Sequence, residues 1–475
     1  MTPLDRIAGD ESRSDSPLEL WGGIECTVNR VGDNYFDQIA QSGHDDRLTG
    51  DLERFAALGL RTIRYPLLWE RVAPGAHRYP DWRRTDTAQL KLRELEIDVV
   101  AGLVHHGSGP RYTSLIDPTF PERLRDYARM VAQRYPWLEM WTPINEPLTT
   151  ARFSGLYGIW YPHARNDYAF VRAFINECLA IRLAMDAVRR VNPESRLVQT
   201  EDLGRVYSTP SLRYQADFEN HRRWLTFDLL SGRIDRHHPM WDYLVTNGAS
   251  RAEMASFVSN PCPPDIVGIN HYLTSERFLD ERTELYPKHL RGGNGRHEYA
   301  DVEAVRALED GIAGHLGVIR EAWNRYQLPI AITEVHLGCT ADEQLRWLNE
   351  AWQAALQARG EGARVVAVTV WALLGSFGWD SLLTVAGGRY EPGAFDISAG
   401  EPQLTVVGEM VRALARTGHF EHPSLDSVPW WRKPSRICHA SYRHGQCITP
   451  AARDAAAKST VAGATGVTGA LADGV

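Results

Sequence analysis

The chain has 475 residues, 43% of them hydrophobic, and 52 Lys plus Arg against 60 Asp plus Glu, for a formal net charge of −8. Mild acidity without clustered cations argues against nucleic acid as a partner, because phosphate neutralisation needs grouped Lys and Arg. No run of about 18 apolar residues occurs, so no membrane span is expected, and the length suits roughly two or three domains or one large barrel.

In chain order, residues 1–17 are polar and acidic and lack the apolar core of a signal peptide. They are expected to form a disordered leader on a cytoplasmic protein. Short apolar runs then alternate with longer amphipathic ones. Strands are expected at 20–26, 61–66, 98–105, 139–145, 196–201, 265–272, 329–334 and 364–372. Helices are expected at 51–58, 121–135, 168–191, 302–326, 342–358 and 404–415, where apolar residues recur at three- and four-residue spacing. Several strands are unbroken Val/Ile/Leu/Ala runs, the pattern of parallel strands covered on both faces. Eight strand–helix units predict an α/β fold, a single (β/α)8 TIM barrel over 18–435; a doubly wound open sheet is the alternative.

The polar residues favour the barrel, because they gather at strand C-termini: Arg64, His105-His106, Asn145-Glu146, Asn270-His271-Tyr272, Thr333-Glu334, and Trp371 followed by Trp379. A closed barrel brings these ends round one axis, the face where barrel enzymes carry their chemistry. His44, His237 and His238 are read as surface or loop residues. Past Pro429–Pro434 the composition changes, and 436–475 reads as a low-complexity tail, with 451–475 unfolded. Within it, Gly463, Gly466 and Gly469 have the spacing of a dinucleotide-binding loop. A remnant of a dinucleotide-binding domain, with a link to nucleotide-sugar metabolism, is the alternative to plain low complexity. The six cysteines form no Cys-x-x-Cys pair, so neither a disulfide framework nor a zinc site is expected. Cys438 and Cys447, enclosing His439 and His444, are read as free thiols rather than metal ligands.

Glu146 and Glu334 each end an apolar strand, on nearly opposite sides of the barrel mouth. One carboxyl that protonates a departing oxygen and another that attacks or directs water at the anomeric carbon are what glycosidic bond cleavage requires. The chain here resembles glycoside hydrolase family 1, the β-glucosidase-like retaining enzymes, over roughly residues 20–415. The resemblance rests on an ordered set: Trp21-Gly22, Arg64-Tyr-Pro-Leu-Leu-Trp69-Glu-Arg71, Pro143-Ile-Asn145-Glu146-Pro147, Asp265-Ile-Val-Gly-Ile-Asn270-His-Tyr272, Ile332-Thr333-Glu334 and Val370-Trp371-Ala-Leu-Leu.

The resemblance implies that Glu334 is the nucleophile and Glu146 the general acid/base. It implies substrate-binding roles for Asn29, Arg64, His106, Asn145, Asn270, Tyr272, Trp371 and Trp379. Arg64 and Tyr272 would contact Glu334, Asn145 the sugar 2-hydroxyl, and Trp371 would lie under the ring. It also implies a small-molecule glycoside or oligosaccharide substrate, with no cofactor and no metal; nothing indicates the oligomeric state. Three departures stand out: Val335-His336 where the family has Asn-Gly, Gly107 where it has Trp, and Gly378 where it has the Glu that grips the 4- and 6-hydroxyls of glucose or galactose. The last predicts a non-standard glycone. Asp380, Glu25 and Arg30 are candidates for a replacement contact. A transglycosidase and a non-catalytic carbohydrate-binding barrel are the alternative functions.

Overall fold

The computed structural model describes residues 16–75, 79–443 and 446–447. Its centre is a closed barrel of eight parallel strands: β1 (Glu19–Gly23), β2 (Thr62–Pro66), β3 (Asp98–His105), β4 (Met140–Asn145), β5 (Arg196–Asp202), β6 (Ile266–Asn270), β7 (Ile330–Val335) and β8 (Val365–Val370). Each strand pairs with its neighbours in sequence, and β8 closes onto β1 through Glu19↔Ala367 to Gly22↔Val370. All eight expected strands are present, with ends moved by a few residues. Seven residues from different strands, Trp21, Val100, Met140, Val198, Ile266, Ala331 and Ala367, form one apolar cluster. This filled interior makes the barrel a packed core rather than a channel.

Most expected helices are also found, as Phe120–Arg134, Asp167–Val191, Ala341–Gly360 and Val406–Thr417. The helix expected at 51–58 begins earlier and spans His44–Ala57, after Gly43 in the left-handed region. His44 is accordingly buried rather than on the surface, with Nδ1 2.9 Å from Asp51 and Nε2 3.0 Å from the Tyr65 hydroxyl. The helix Arg83–Glu94 is not expected from its sequence, because only Ala88, Gln89 and Leu92 are buried along it.

The expectation of one helix over 302–326 is corrected. Glu298–Glu303 is a strand, Ala304–Arg306 is a 3-10 turn, and the helix runs only from Gly314 to Tyr326. Gly311 and Gly314, at φ +84° and +60°, separate the two parts. The strand joins Val206–Ser208, Arg277–Asp280 and Arg291–Gly293 in a small four-stranded sheet beside the barrel. Val302 and Val305, three residues apart, imitate a helical stripe but serve different clusters. Phe278, Ala300 and Val302 pack with Tyr442, and Arg436 donates to the Leu308 carbonyl at 2.5 Å. Packed structure thus continues beyond residue 435 to Tyr442. The expected leader, apart from residues 16 and 17, and the glycine-spaced segment at 463–469 lie outside the described residues.

Candidate active site

β7 is buried along its whole length, and its register against β6 shifts between Ile332 and Glu334. Such an irregularity re-aims side chains next to functional sites. Here it sets Glu334 opposite Asn270. Arg64, from β2, donates from Nη1 to Glu334 Oε1 at 2.9 Å and to the Thr333 carbonyl at 2.6 Å. The Tyr272 hydroxyl donates to Glu334 Oε2 at 2.5 Å. Burial raises the Glu334 pKa above the usual carboxylate value, while the Arg64 charge and the Tyr272 hydrogen bond oppose that shift.

Arg64 Nη2 donates to Asn145 Oδ1 at 2.8 Å, which also accepts from Thr200 Oγ1 at 2.8 Å. The Asn145 amide nitrogen sits 3.3 Å from His105 Nε2 and 3.2 Å from His106 Nε2. Burial, and then the nearby Arg64 charge, pushes His106 down to about 3, so its ring is neutral and accepts this bond.

Glu146 follows β4 with φ +44° and precedes the helix Pro147–Ala151. Its Oε1 accepts from Asn270 Nδ2 at 2.5 Å, and Asn270 is fixed in turn by the Thr333 hydroxyl at 2.6 Å. Among the described residues no Lys or Arg pairs with it, and His106 Nε2 lies 4.0 Å from Oε2. Burial raises the Glu146 pKa well above the usual range, and the charges of Glu334, Asp202 and Glu201 raise it further. Two buried carboxyls therefore share one mouth in opposite surroundings, one beside an arginine and the other among acids.

The segment after β8 supplies the other side of the mouth. Trp371 packs close against β1, where a side chain at Gly23 would meet its ring at 2.4 Å. It stacks on His105 with centroids 5.3 Å apart, and the Arg64 guanidinium lies 4.7 Å from its centroid. Trp379 and Trp160 pack against His106 at 5.6 and 5.4 Å. The indole N–H groups of Trp371 and Trp379 both donate to Glu25 Oε2 at 3.1 Å, while Glu25 Oε1 accepts from the Thr27 amide and hydroxyl. Trp160 donates to the Leu382 carbonyl at 2.7 Å, and Asn29 Nδ2 to the Leu383 carbonyl at 3.2 Å.

All ten residues singled out in the sequence thus converge at the C-terminal face of the barrel. Sequence reasoning does not find Trp160, Leu382 or Leu383; the only signal for the last two is the glycine at 378 shortly before them. Of the candidates to replace the family's missing carboxylate, Asp380 is exposed, and Arg30 stacks on Tyr161 and bonds to Gly32 and Asp33. Glu25 already accepts four hydrogen bonds. At Gly107 a Cβ would meet Glu70 Oε1 at 2.1 Å, so that carboxyl occupies the space a larger residue would need.

No family model matches the chain. It is 22% identical to β-glucosidase 47 of Arabidopsis thaliana over 465 residues, covering 88% of this chain and 82% of the relative. Its fold superimposes on the family 1 β-glucosidase of Thermotoga maritima with a TM-score of 0.69 at 16% identity, over 86% of this chain and 99% of the other. The Thermotoga β-glucosidase in complex with deoxynojirimycin gives 0.68 at 17% identity, over 85% and 98%. The chain shares the barrel fold of these β-glucosidases at low sequence identity.

A cavity of about 440 Å³ is lined in part by the hairpin Val28–Val31/Asn34–Asp37. Tyr35, Asp37, Asp45, Glu70, Arg71 and Arg84 contribute to its lining. Arg71 is already paired with Asp37 and Asp45, and Arg84 with Asp45. Among the described residues no helix is long and apolar enough to cross a membrane, and no group of three or more His, Cys, Asp or Glu side chains could hold a metal.

Proposed function

We propose that this protein is a retaining β-glycoside hydrolase acting by double displacement on a small-molecule glycoside. The observation that carries the proposal is the unequal environment of the two buried carboxyls. Arg64 and the Tyr272 hydroxyl favour ionised Glu334, the state a nucleophile needs. Burial and neighbouring acids favour protonated Glu146, the state a general acid needs. In the first step the Glu334 carboxylate attacks the anomeric carbon as Glu146 gives its proton to the departing oxygen. Transfer of that proton leaves Glu146 ionised just as the Glu334 charge is consumed in the glycosyl ester. Ionised Glu146 then takes a proton from water, whose oxygen attacks the anomeric carbon and releases Glu334.

Asn145 is placed by Arg64, Thr200 and His106, and would bond the sugar 2-hydroxyl, a contact that strengthens at the oxocarbenium-like transition state. Trp371, braced between His105 and Arg64, provides a flat apolar platform for the ring. The test is release of phenol from a panel of aryl β-glycosides, with the anomer of the first-formed sugar followed by proton NMR. The β-anomer from wild type, and none from Glu334→Gln, is expected. An α-anomer would refute retention, and turnover that survives Glu334→Gln would refute the nucleophile assignment.

A further inference from the structure

The cavity lined by the hairpin Val28–Val31/Asn34–Asp37 takes in none of the residues that gather at the mouth. Neighbours on a strand face opposite ways, so Val28 and Tyr65 line it while Asn29 and Arg64 serve the mouth. Its volume of about 440 Å³ is that of a small-molecule pocket, and Val28, Ile39, Leu68 and Val72 give it apolar walls. One group in the lining is out of keeping with them. Glu70 is 7% exposed, and its Oε2 has no hydrogen-bond partner. Its Oε1 accepts from the Gly109 amide at 3.0 Å. No Lys, Arg or His among the described residues pairs with it, because the neighbouring Arg71 is spent on Asp37 and Asp45.

The charges in the lining fix the class of ligand. Arg71 is paired with two aspartates and Arg84 with Asp45, while Arg111 donates to the Asp33 carbonyl at 2.8 Å and lies over the Tyr35 ring. Both ring nitrogens of His44 are bonded, to Asp51 and Tyr65. An anion would therefore find every cation in the lining engaged. Once Glu70 is ionised, the four acids Asp37, Asp45, Glu70 and Asp81 outnumber the three cations Arg71, Arg84 and Arg111 by one. We infer that this cavity is a binding site for a small organic monocation with a flat apolar body, its positive group paired with the Glu70 carboxyl. An ammonium or amidinium there supplies both the missing charge and a donor for Oε2, and the body covers the apolar walls. In its absence burial pushes Glu70 up to about 8, so the carboxyl is largely protonated at neutral pH. Cation binding must then expel that proton. The inference does not depend on the hydrolase reading, because no residue of the mouth takes part in it.

The probe is benzamidine, with benzamide and benzoate as neutral and anionic molecules of the same shape. Binding to the full chain at pH 7 is followed by titration calorimetry in two buffers of different ionisation enthalpy. Benzamidine is expected to bind with a Kd of about 1 mM or tighter, about tenfold or more ahead of benzamide, and benzoate not to bind. About 0.9 of a proton should be released per benzamidine, the share of Glu70 protonated at pH 7. Glu70→Gln retains an acceptor for the Gly109 amide; it should lose about tenfold or more in affinity and all of the proton release. Thr85→Trp, on the half-buried edge of the cavity, should fill it and abolish binding with Glu70 intact. Melting temperatures check that both variants fold. The carboxyls at the mouth are a competing site for a cation, and binding that survives both substitutions would overturn the inference in their favour. Benzamide or benzoate binding as tightly as benzamidine would overturn it too, as would no binding of benzamidine or binding without proton release.

Discussion

The two sides of the mouth are built differently. The carboxylate side is made of strand ends: Arg64, Asn145, Asn270 and Glu334 are placed by the barrel's hydrogen-bond register and tie three or more strands together through 2.5–2.9 Å contacts. The tryptophan side is a loop after β8, in which Leu382 and Leu383 both adopt left-handed backbone at φ +51° and +55°. That conformation costs non-glycine residues about 1–2 kcal/mol each and is held by the Asn29 and Trp160 contacts. The difference separates two tasks. On the proposed function, bond-breaking groups, which need positions fixed to fractions of an ångström, would sit on the rigid sheet, and sugar selection would fall to the loop.

The largest effect is expected from Glu334→Gln, which should lower kcat/KM on aryl glycosides by on the order of 10⁴-fold or more, since the covalent intermediate cannot form. Glu146→Gln should cost about 10² to 10⁴-fold for alkyl leaving groups. For dinitrophenyl glycosides the first step needs no acid, so a much smaller loss in kcat/KM is expected there. On the tryptophan side, Glu25→Gln leaves the indoles a single weaker acceptor. A rise in KM of about tenfold with kcat nearly unchanged is expected, because those rings bind ground and transition states alike.

The pH profile sharpens the contrast further. Removing Arg64 charge, as in Arg64→Met, takes away the main influence holding the Glu334 pKa down, so the acid limb of kcat/KM should move to higher pH. In Glu334→Gln the largest of the charges raising Glu146 is gone, and its carboxyl resonance should titrate at lower pH than in wild type.

The smallest effects concern a buried carboxyl behind each side. Glu201 accepts from the Leu148 amide under the Glu146 turn, and Glu70 accepts from the Gly109 amide under the third-strand loop. Burial pushes both up to about 8, above the 4.5 of an unfolded chain. The folded state therefore holds protons that the unfolded state releases. Their contribution is complete below pH about 4.5 and declines as pH rises to about 8. Urea midpoints should fall across that window, and Glu70→Gln or Glu201→Gln should flatten the fall while changing stability little at pH 5. An unchanged slope in both variants would show that other groups govern it.

How much of this was legible beforehand follows from the range of each interaction. The eight strands are unbroken apolar runs, and burial on both faces leaves that mark locally whatever the loops do. Glu146 and Glu334 stand out because a lone charge at the tip of such a run has few structural uses. The 302–313 segment reads as helix from its sequence, since three-residue spacing cannot tell a strand that packs on Tyr442 from a helical face. The helix Arg83–Glu94 left almost no apolar stripe to read. Sequence by itself determined the barrel and placed two carboxyls at its strand ends. Only the tertiary structure decided that Glu25 spends itself on two indoles and that Asn29 bonds the Leu383 carbonyl. Glu25 meets its tryptophans across 346 and 354 residues of chain, and Asn29 meets Leu383 across 354. Contacts of that span come from barrel closure, which brings β1 beside β8, and no local pattern encodes them.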